Sequence, residues 1–204
     1  MSSAPIAPTA DEAPTVAQRP KEQLILDAVL AVLARSGISG VSMRAVAREA
    51  GVALGLMNYY FTDKTSLIAA ALRRLGEQDA QLVEPQEGLG PREQLVSSLH
   101  RVVDEEFLRG DYLALRLQLW ALAPVDPSFA SINQEAQERY RVGLIQLVRR
   151  ASPDLEPAEA ERRATDILVI QNGLWLTSML IFDQAAINRG VLRCEELALA
   201  PPPL

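Results

Sequence analysis

The chain has 204 residues, 49% hydrophobic and 23% charged, with a net charge of −6. That length supports one or two domains, and the balance of apolar and charged residues excludes wholesale disorder. One cysteine, Cys194, and one histidine, His100, exclude an internal disulfide, a thiolate cluster and most His-dependent metal or nucleophilic chemistry. No metal, cofactor or enzymatic activity is therefore expected. No apolar run reaches the roughly 18 residues that span a bilayer, and the first basic residue is Arg19, so no signal pattern is read. A cytoplasmic protein with no membrane partner is expected.

Residues 1–18, with Pro5, Pro8 and Pro14 and no apolar period, read as a disordered tail. Helical periodicity begins after Pro20, with Leu24, Ile25, Ala28, Val29, Val32 and Leu33 on one stripe and Gly37 as its stop. Ser42 predicts the N-cap of a short helix that ends at Gly51, and a second short helix follows over 54–60. Asp63 predicts the cap of a helix over 63–83. Pro91 opens a helix expected to reach Leu108 and to end at Gly110, and Asp111 caps a segment that Pro124 stops. Asp126-Pro127 starts a helix to Ala151, Pro157 starts one to Phe182, and a short segment over 190–199 precedes the terminal prolines. No strand pattern and no repeat occurs, so the fold class is all-α: an N-terminal three-helix unit over 19–66 and a C-terminal helical domain over 67–204, linked by the helix 63–83.

Charge supports this division. Residues 19–74 hold eight basic and four acidic side chains, net +4, which leaves −10 for the rest of the chain. Phosphate recognition needs such local positive charge rather than a basic protein overall.

Function is written most densely in SMRAVAREAGVALGLMNYYFTDKTSL, residues 42–67. Two short helices joined by a glycine-bearing turn fit a helix-turn-helix. Val46, Ala50, Val52, Met57 and Tyr60 fill the small core between them, Ala47 is small where the helices cross, and Gly51 suits a positive φ. Aromatic hydroxyls and a lysine beside a helix N-terminus suit phosphate oxygens.

Residues 20–67 resemble the TetR family of one-component bacterial transcriptional regulators through Ser42, Val46-Ala47, Ala50-Gly51-Val52, Gly55, Met57, Tyr60-Phe61, Lys64 and Leu67, all in one register. The resemblance implies that 19–66 is an N-terminal three-helix helix-turn-helix DNA-binding domain and 67–204 a C-terminal helical effector-binding and dimerisation domain, with DNA contacts from Ser42, Arg44, Leu54, Gly55, Asn58, Tyr59, Tyr60 and Lys64. Ser42 is the N-cap and a candidate phosphate contact, Arg44 is a guanine reader or a solvated arginine, and Leu54 meets a thymine methyl. Gly55 admits the backbone close to DNA, Tyr59 and Lys64 clamp phosphates, and Tyr60 divides between core ring and outward hydroxyl. Arg48 is a weaker phosphate candidate, and Phe61 is core. Ala53 stands where the family pattern has Ser, and Asn58 where Tyr is common.

Residues 111–182 resemble, more loosely, the branch that contains the choline-responsive repressor of betaine synthesis. Gly173-Leu174-Trp175-Leu176 is intact, while Asn172 replaces an Asp and so removes a carboxylate partner for a cationic ligand. Phe107, Trp120, Tyr140, Gln171 and Trp175, with Tyr112 among the same few aromatics, are candidates for an effector pocket, with plain core as the alternative. The helix 157–182 is apolar nearly all round and must be covered on two sides. Its face of Ala164, Ile167, Gln171, Leu174 and Ser178 is the expected homodimer interface.

The expected function is a ligand-responsive transcriptional regulator, a repressor released from palindromic double-stranded operator DNA by an unknown small-molecule effector. The resemblance places it in a bacterial cytoplasm, at the nucleoid when bound. A helical small-molecule or protein-binding dimer without specific DNA binding is the alternative.

Overall fold

The computed structural model describes residues 19–201; the expected tail 1–18 lies outside the described residues. The described secondary structure is entirely helical: α1 (Arg19–Gly40), α2 (Met43–Glu49), α3 (Leu54–Tyr60), α4 (Lys64–Gln81), α5 (Pro91–Arg101), α6 (Glu105–Leu108), α7 (Gly110–Leu122), α8 (Pro127–Ala151), α9 (Pro157–Leu180) and α10 (Gln184–Leu199).

Local chemistry accounts for most boundaries. In α1, Ile25, Val29, Val32 and Leu33 are buried, while Leu24, at the edge of the stripe, is exposed. Gly37 breaks α1 at φ 64, and one further turn runs to Gly40. Among the described residues, Lys21–Gly40 is apolar and long enough to cross a bilayer by length and composition, a point the search for an uninterrupted apolar run passes over. Its buried stripe is instead packed into the helical core. The Ser42 side chain caps α2 by accepting from the Ala45 N–H at 3.1 Å. Asp63 accepts from the Ser66 N–H at 2.7 Å, and Ser66 Oγ accepts from the Asp63 N–H at 3.2 Å, which closes a reciprocal box at the start of α4. Asp126 caps α8 with Pro127 in its first turn.

Three boundaries differ from expectation. The helix opened by Pro91 stops at Arg101, because the turn at 102–104 buries Val102 and presents its carbonyl to Trp175 Nε1 at 2.8 Å. Gly110 starts α7 instead of ending its predecessor, and Asp111 lies inside the first turn, bonded to Arg109 at 2.6 Å. The last helix begins at Gln184, where Asp183 accepts from the Ala186 N–H at 3.0 Å.

Two cores result. One joins α1–α4 to α7 and the start of α8 through Leu115, Leu119, Phe129 and Ile132. The other gathers α5–α10 around Leu99, Leu144, Ile167 and Trp175. Helix α4 runs from the first core toward the second and lies close on α8, where a Cβ on Gly76 would come within 2.7 Å of the Ala136 Cβ. Glycine is required there for the close approach.

Candidate nucleic-acid interface and effector-domain core

The α2–turn–α3 unit is built on a small apolar interior. Val46 and Met57 are fully buried, Ala47 and Ala50 nearly so, and Val52 and Tyr60 pack at the margin. Gly51 turns the chain at φ 64, and the Val52 N–H donates to the Ala47 carbonyl at 2.9 Å, which fixes α3 against α2. Ala53 is the N-cap of α3 and supplies no side-chain cap, as its replacement of Ser implies. Phe61 is buried.

With that interior fixed, Ser42 and Arg44 of α2 and Leu54, Gly55, Asn58 and Tyr59 of α3 are exposed. A Cβ added at Gly55 would meet nothing within 4 Å. Tyr59 is 54% exposed and meets the Tyr60 ring edge-on, centroids 5.2 Å apart. Burial first, then the nearby Glu22 charge, raises the Tyr60 hydroxyl above the ordinary tyrosine value, so it remains a donor at neutral pH. Lys64 is half-buried, and its Nζ donates to the Ile38 carbonyl at 2.6 Å, which ties the last turn of α1 to the first of α4. Arg48 is exposed. Arg35 and Glu49 form a two-fold pair at 2.7 and 3.3 Å that sequence reading did not anticipate.

In the C-terminal half, Trp120 and Trp175 of the five candidate pocket residues lie against a buried side chain that sequence reading missed, Phe107 joins them through Tyr112, and Tyr140 and Gln171 pair with each other. Arg116 of α7 is 1% exposed. Its guanidinium carbon lies 3.8 Å from the Trp175 ring centroid, 5.2 Å from Tyr112 and 5.7 Å from Trp120. Arg116 Nη1 donates to Asp79 Oδ2 at 2.8 Å, and Nη2 donates both to Asp79 Oδ1 and to Tyr112 Oη, the latter at 2.9 Å. Tyr112 Oη donates to Asp79 Oδ1 at 2.8 Å. Burial opposes the guanidinium charge most strongly of any single cause, but the Asp79 carboxylate and the Tyr112 hydroxyl together outweigh it and the Arg116 pKa is raised. Phe107 meets Tyr112 edge-on at 5.5 Å, and Tyr140 Oη donates to Gln171 Oε1 at 2.9 Å. Burial raises both the Tyr112 and Tyr140 hydroxyls. Phe107, Tyr140, Gln171 and Trp175 are buried and Trp120 is half-buried. The signal for Arg116 lay in the spacing of Tyr112, Arg116 and Trp120, which places all three on one helical face.

Beside this assembly, a cleft of about 410 Å³ separates α1 and α4 from α6 and α7, with Tyr112 and Phe107 in its wall. Among the described residues no group of three or more His, Cys, Asp or Glu side chains is placed to hold a metal ion.

The expected dimer face is corrected by burial. Ala164, Ile167, Gln171 and Ser178 point into the chain's own core, and Leu174 packs against Gly190 of α10. The opposite stripe of α9 is the outward one: Val169, Leu176 and Leu180 are 65%, 43% and 70% exposed, and Gly173 between them is open. Ile181 and Phe182, between α9 and α10, and Leu192 of α10 are exposed apolar side chains as well.

Comparison with known proteins places both halves. Residues 25–71 match the bacterial regulatory proteins of the tetR family, and residues 91–198 match the C-terminal domain of the BetI-type transcriptional repressor. The HTH-type transcriptional regulator BetI of Serratia proteamaculans (strain 568) is 28% identical over 84% of this chain and 89% of its own. The HTH-type transcriptional repressor KstR of Rhodococcus jostii (strain RHA1) is 29% identical over 83% of this chain and 76% of its own. A solved transcriptional regulator from Rhodococcus sp. Rha1 superposes with a TM-score of 0.71 at 26% identity, covering 87% of this chain and 95% of the other.

Proposed function

Because the chain belongs to the TetR family of bacterial transcriptional regulators, with a C-terminal domain of the BetI type, we propose that it represses transcription as a homodimer on a palindromic operator and leaves the DNA when a small molecule binds. The observation that carries this reading is the α2–α3 unit: a buried interior of Val46, Ala47 and Met57 behind an exposed set of Arg44, Leu54, Gly55, Asn58 and Tyr59.

In this reading α3 enters the major groove. Arg44 and Asn58 read base edges, and Leu54 covers a thymine methyl. Ser42, Tyr59, the Tyr60 hydroxyl and Lys64 position the unit on phosphates. Residues 19–66 form the reading head and 67–204 the effector and dimerisation domain, with α4 as the shared element. The outward apolar stripe of α9, continued by Leu192, supports a two-fold interface in which Gly173 admits the partner helix closely. Two heads then meet half-sites about one helical turn, roughly 34–36 Å, apart. The protein would act in the cytoplasm, at the nucleoid when bound.

Fluorescence anisotropy tests the proposal on the DNA that flanks the protein's own gene, beside unrelated DNA, at two salt concentrations. Specific binding that survives the higher salt is expected. Equal, salt-collapsed binding to both DNAs would leave only non-specific phosphate contact and favour a binding module without operator recognition.

A further inference from the structure

Asp79 and Arg116 lie outside the surface assigned to DNA, yet they join the helix that begins at the reading head to the body of the C-terminal domain. Asp79 stands near the C-terminal end of α4 and Arg116 in the middle of α7. Arg116 holds both carboxylate oxygens, Nη1 donating to Oδ2 at 2.8 Å and Nη2 to Oδ1, and the Tyr112 hydroxyl completes the set by donating to Oδ1 at 2.8 Å. Space lies on either side of this contact. The cleft of about 410 Å³ runs past Gln78, Gln81 and Tyr112, and a cavity of about 20 Å³ is bounded by Leu72, Leu75, Asp79, Arg116 and Trp120. At this level of α4, hydrogen-bonded side chains therefore span the gap to α7 where close packing does not. Arg116 is held in turn: its guanidinium carbon lies 3.8 Å from the Trp175 ring centroid of α9, and Trp175 Nε1 donates to the Val102 carbonyl at 2.8 Å. Leu176, the next residue of α9, belongs to the outward stripe proposed to meet the partner subunit.

Stability alone does not account for such a pair. Two charges taken out of water lose much of what their attraction returns, and apolar side chains of like volume often replace a buried ion pair without loss. What apolar side chains do not replace is direction. A guanidinium that spans both oxygens of a carboxylate fixes distance and angle, whereas apolar contact is non-directional.

We propose that Asp79 and Arg116 are positioning residues for operator recognition: their buried pair holds α4 at one setting against α7 and α9, and so fixes the distance between the two reading heads of the dimer. This rests on the regulator reading above and names the contact that sets the head spacing. Two heads reinforce one another on a palindrome only where their spacing matches that of the half-sites. A match multiplies affinity by about 10²–10⁴, and a mismatch forfeits that gain. A single half-site engages one head and is indifferent to the spacing.

The test replaces the pair by apolar side chains, Asp79→Leu together with Arg116→Met, in the full-length protein. Its first readout uses no DNA. Spin labels at Ser39→Cys in the head and Arg92→Cys at the start of α5, both exposed positions, report the head-to-body distance by double electron–electron resonance. The background is Cys194→Ala, and dilution with unlabelled protein restricts the signal to distances within one chain. One narrow distribution is expected with the pair intact, and a broader or displaced one in the double variant, which keeps a cooperative melt. The second readout is anisotropy on the operator fragment and on the same fragment with one half-site scrambled. Affinity for the intact palindrome is expected to fall at least about tenfold, with affinity for the single half-site unchanged. An unaltered distance distribution overturns the proposal, as does an equal loss, or no loss, on both DNAs. If the double variant does not fold, Arg116→Lys carries the same test, because a lysine keeps the charge but cannot span both oxygens of Asp79. The two readings fail separately. Wild-type protein that does not distinguish operator from unrelated DNA sinks the regulator while the distance readout still decides the pair, whereas operator binding with an unaltered distance distribution in the variant upholds the regulator and sinks the pair.

Discussion

Gly55 offers a substitution whose effects on stability and on DNA binding should have opposite signs. It is the second residue of α3, is exposed, has no positive φ, and an added Cβ would meet nothing within 4 Å. Gly55→Ala therefore costs no packing and removes the entropic penalty of a helical glycine, about 0.5–1 kcal/mol. For a chain of this length that raises Tm by about 1–4 °C. In the proposed docking the same methyl stands where the α3 backbone approaches the groove. Operator affinity should fall by about tenfold or more, equivalent to about 1.4 kcal/mol. A circular-dichroism melt and operator anisotropy on one preparation give both numbers. Gly51→Ala is the control, because it too meets nothing within 4 Å but sits at φ 64, and it should lose about 1–2 kcal/mol of stability. A more stable Gly55→Ala with undiminished operator affinity would falsify the close approach of α3 to DNA; a less stable one would contradict the helical placement of Gly55.

Other substitutions probe the remaining assignments. Lys64→Ala should lower the salt slope of DNA binding by about one per contacting subunit and, through loss of the bond to the Ile38 carbonyl, lower stability by about 1 kcal/mol in urea denaturation. An unchanged slope would leave Lys64 a purely structural tie. Leu180→Arg, on the outward stripe of α9, should give a monomer by sedimentation velocity while leaving the melt nearly unchanged, since Leu180 is 70% exposed within the chain; a persistent dimer places the interface elsewhere. Burial pushes the Cys194 thiol up to about 12 and leaves the residue 1% exposed. It is therefore protonated at pH 8 and should resist a thiol-specific disulfide reagent in the folded protein while reacting fully in denaturant. Rapid native reaction would show that α10 opens readily.

How far the sequence could be read depended on the range of the interaction that decides each feature. Ser42, Asp63, Asp126-Pro127 and Pro157 act within one turn, and the helices they begin stand where those residues place them. Asp183 is the same kind of signal, and it starts the last helix at Gln184, ahead of the segment expected over 190–199. The break after Arg101 was not, because the group that satisfies the exposed end of that turn is Trp175, 73 residues further on. Arg116 reads locally as a surface residue on an apolar helix; the countercharge that makes its burial tolerable is Asp79, 37 residues earlier. For α9 the periodicity identified two apolar faces but could not say which one the chain itself covers. The smaller face, Ala164 through Ser178, turned inward, where close helix packing favours it, and the larger side chains Leu176 and Leu180 were left outward.

The close seating of Gly76 on Ala136 has a mechanical consequence. A helix of 18 residues is stiff along its axis, and the point where it lies hardest on its neighbour is the natural place for it to turn. Asp79 lies three residues beyond that point and Lys64 twelve before it, about 4.5 Å and about 18 Å along the axis at 1.5 Å per residue. Helix α4 is thus an unequal lever with its fulcrum near Gly76. In the proposed dimer a small motion at the Asp79 end would be magnified about fourfold at the reading head, so a shift of an ångström, too small to disturb the packed core, would suffice to change the spacing of two heads on a duplex.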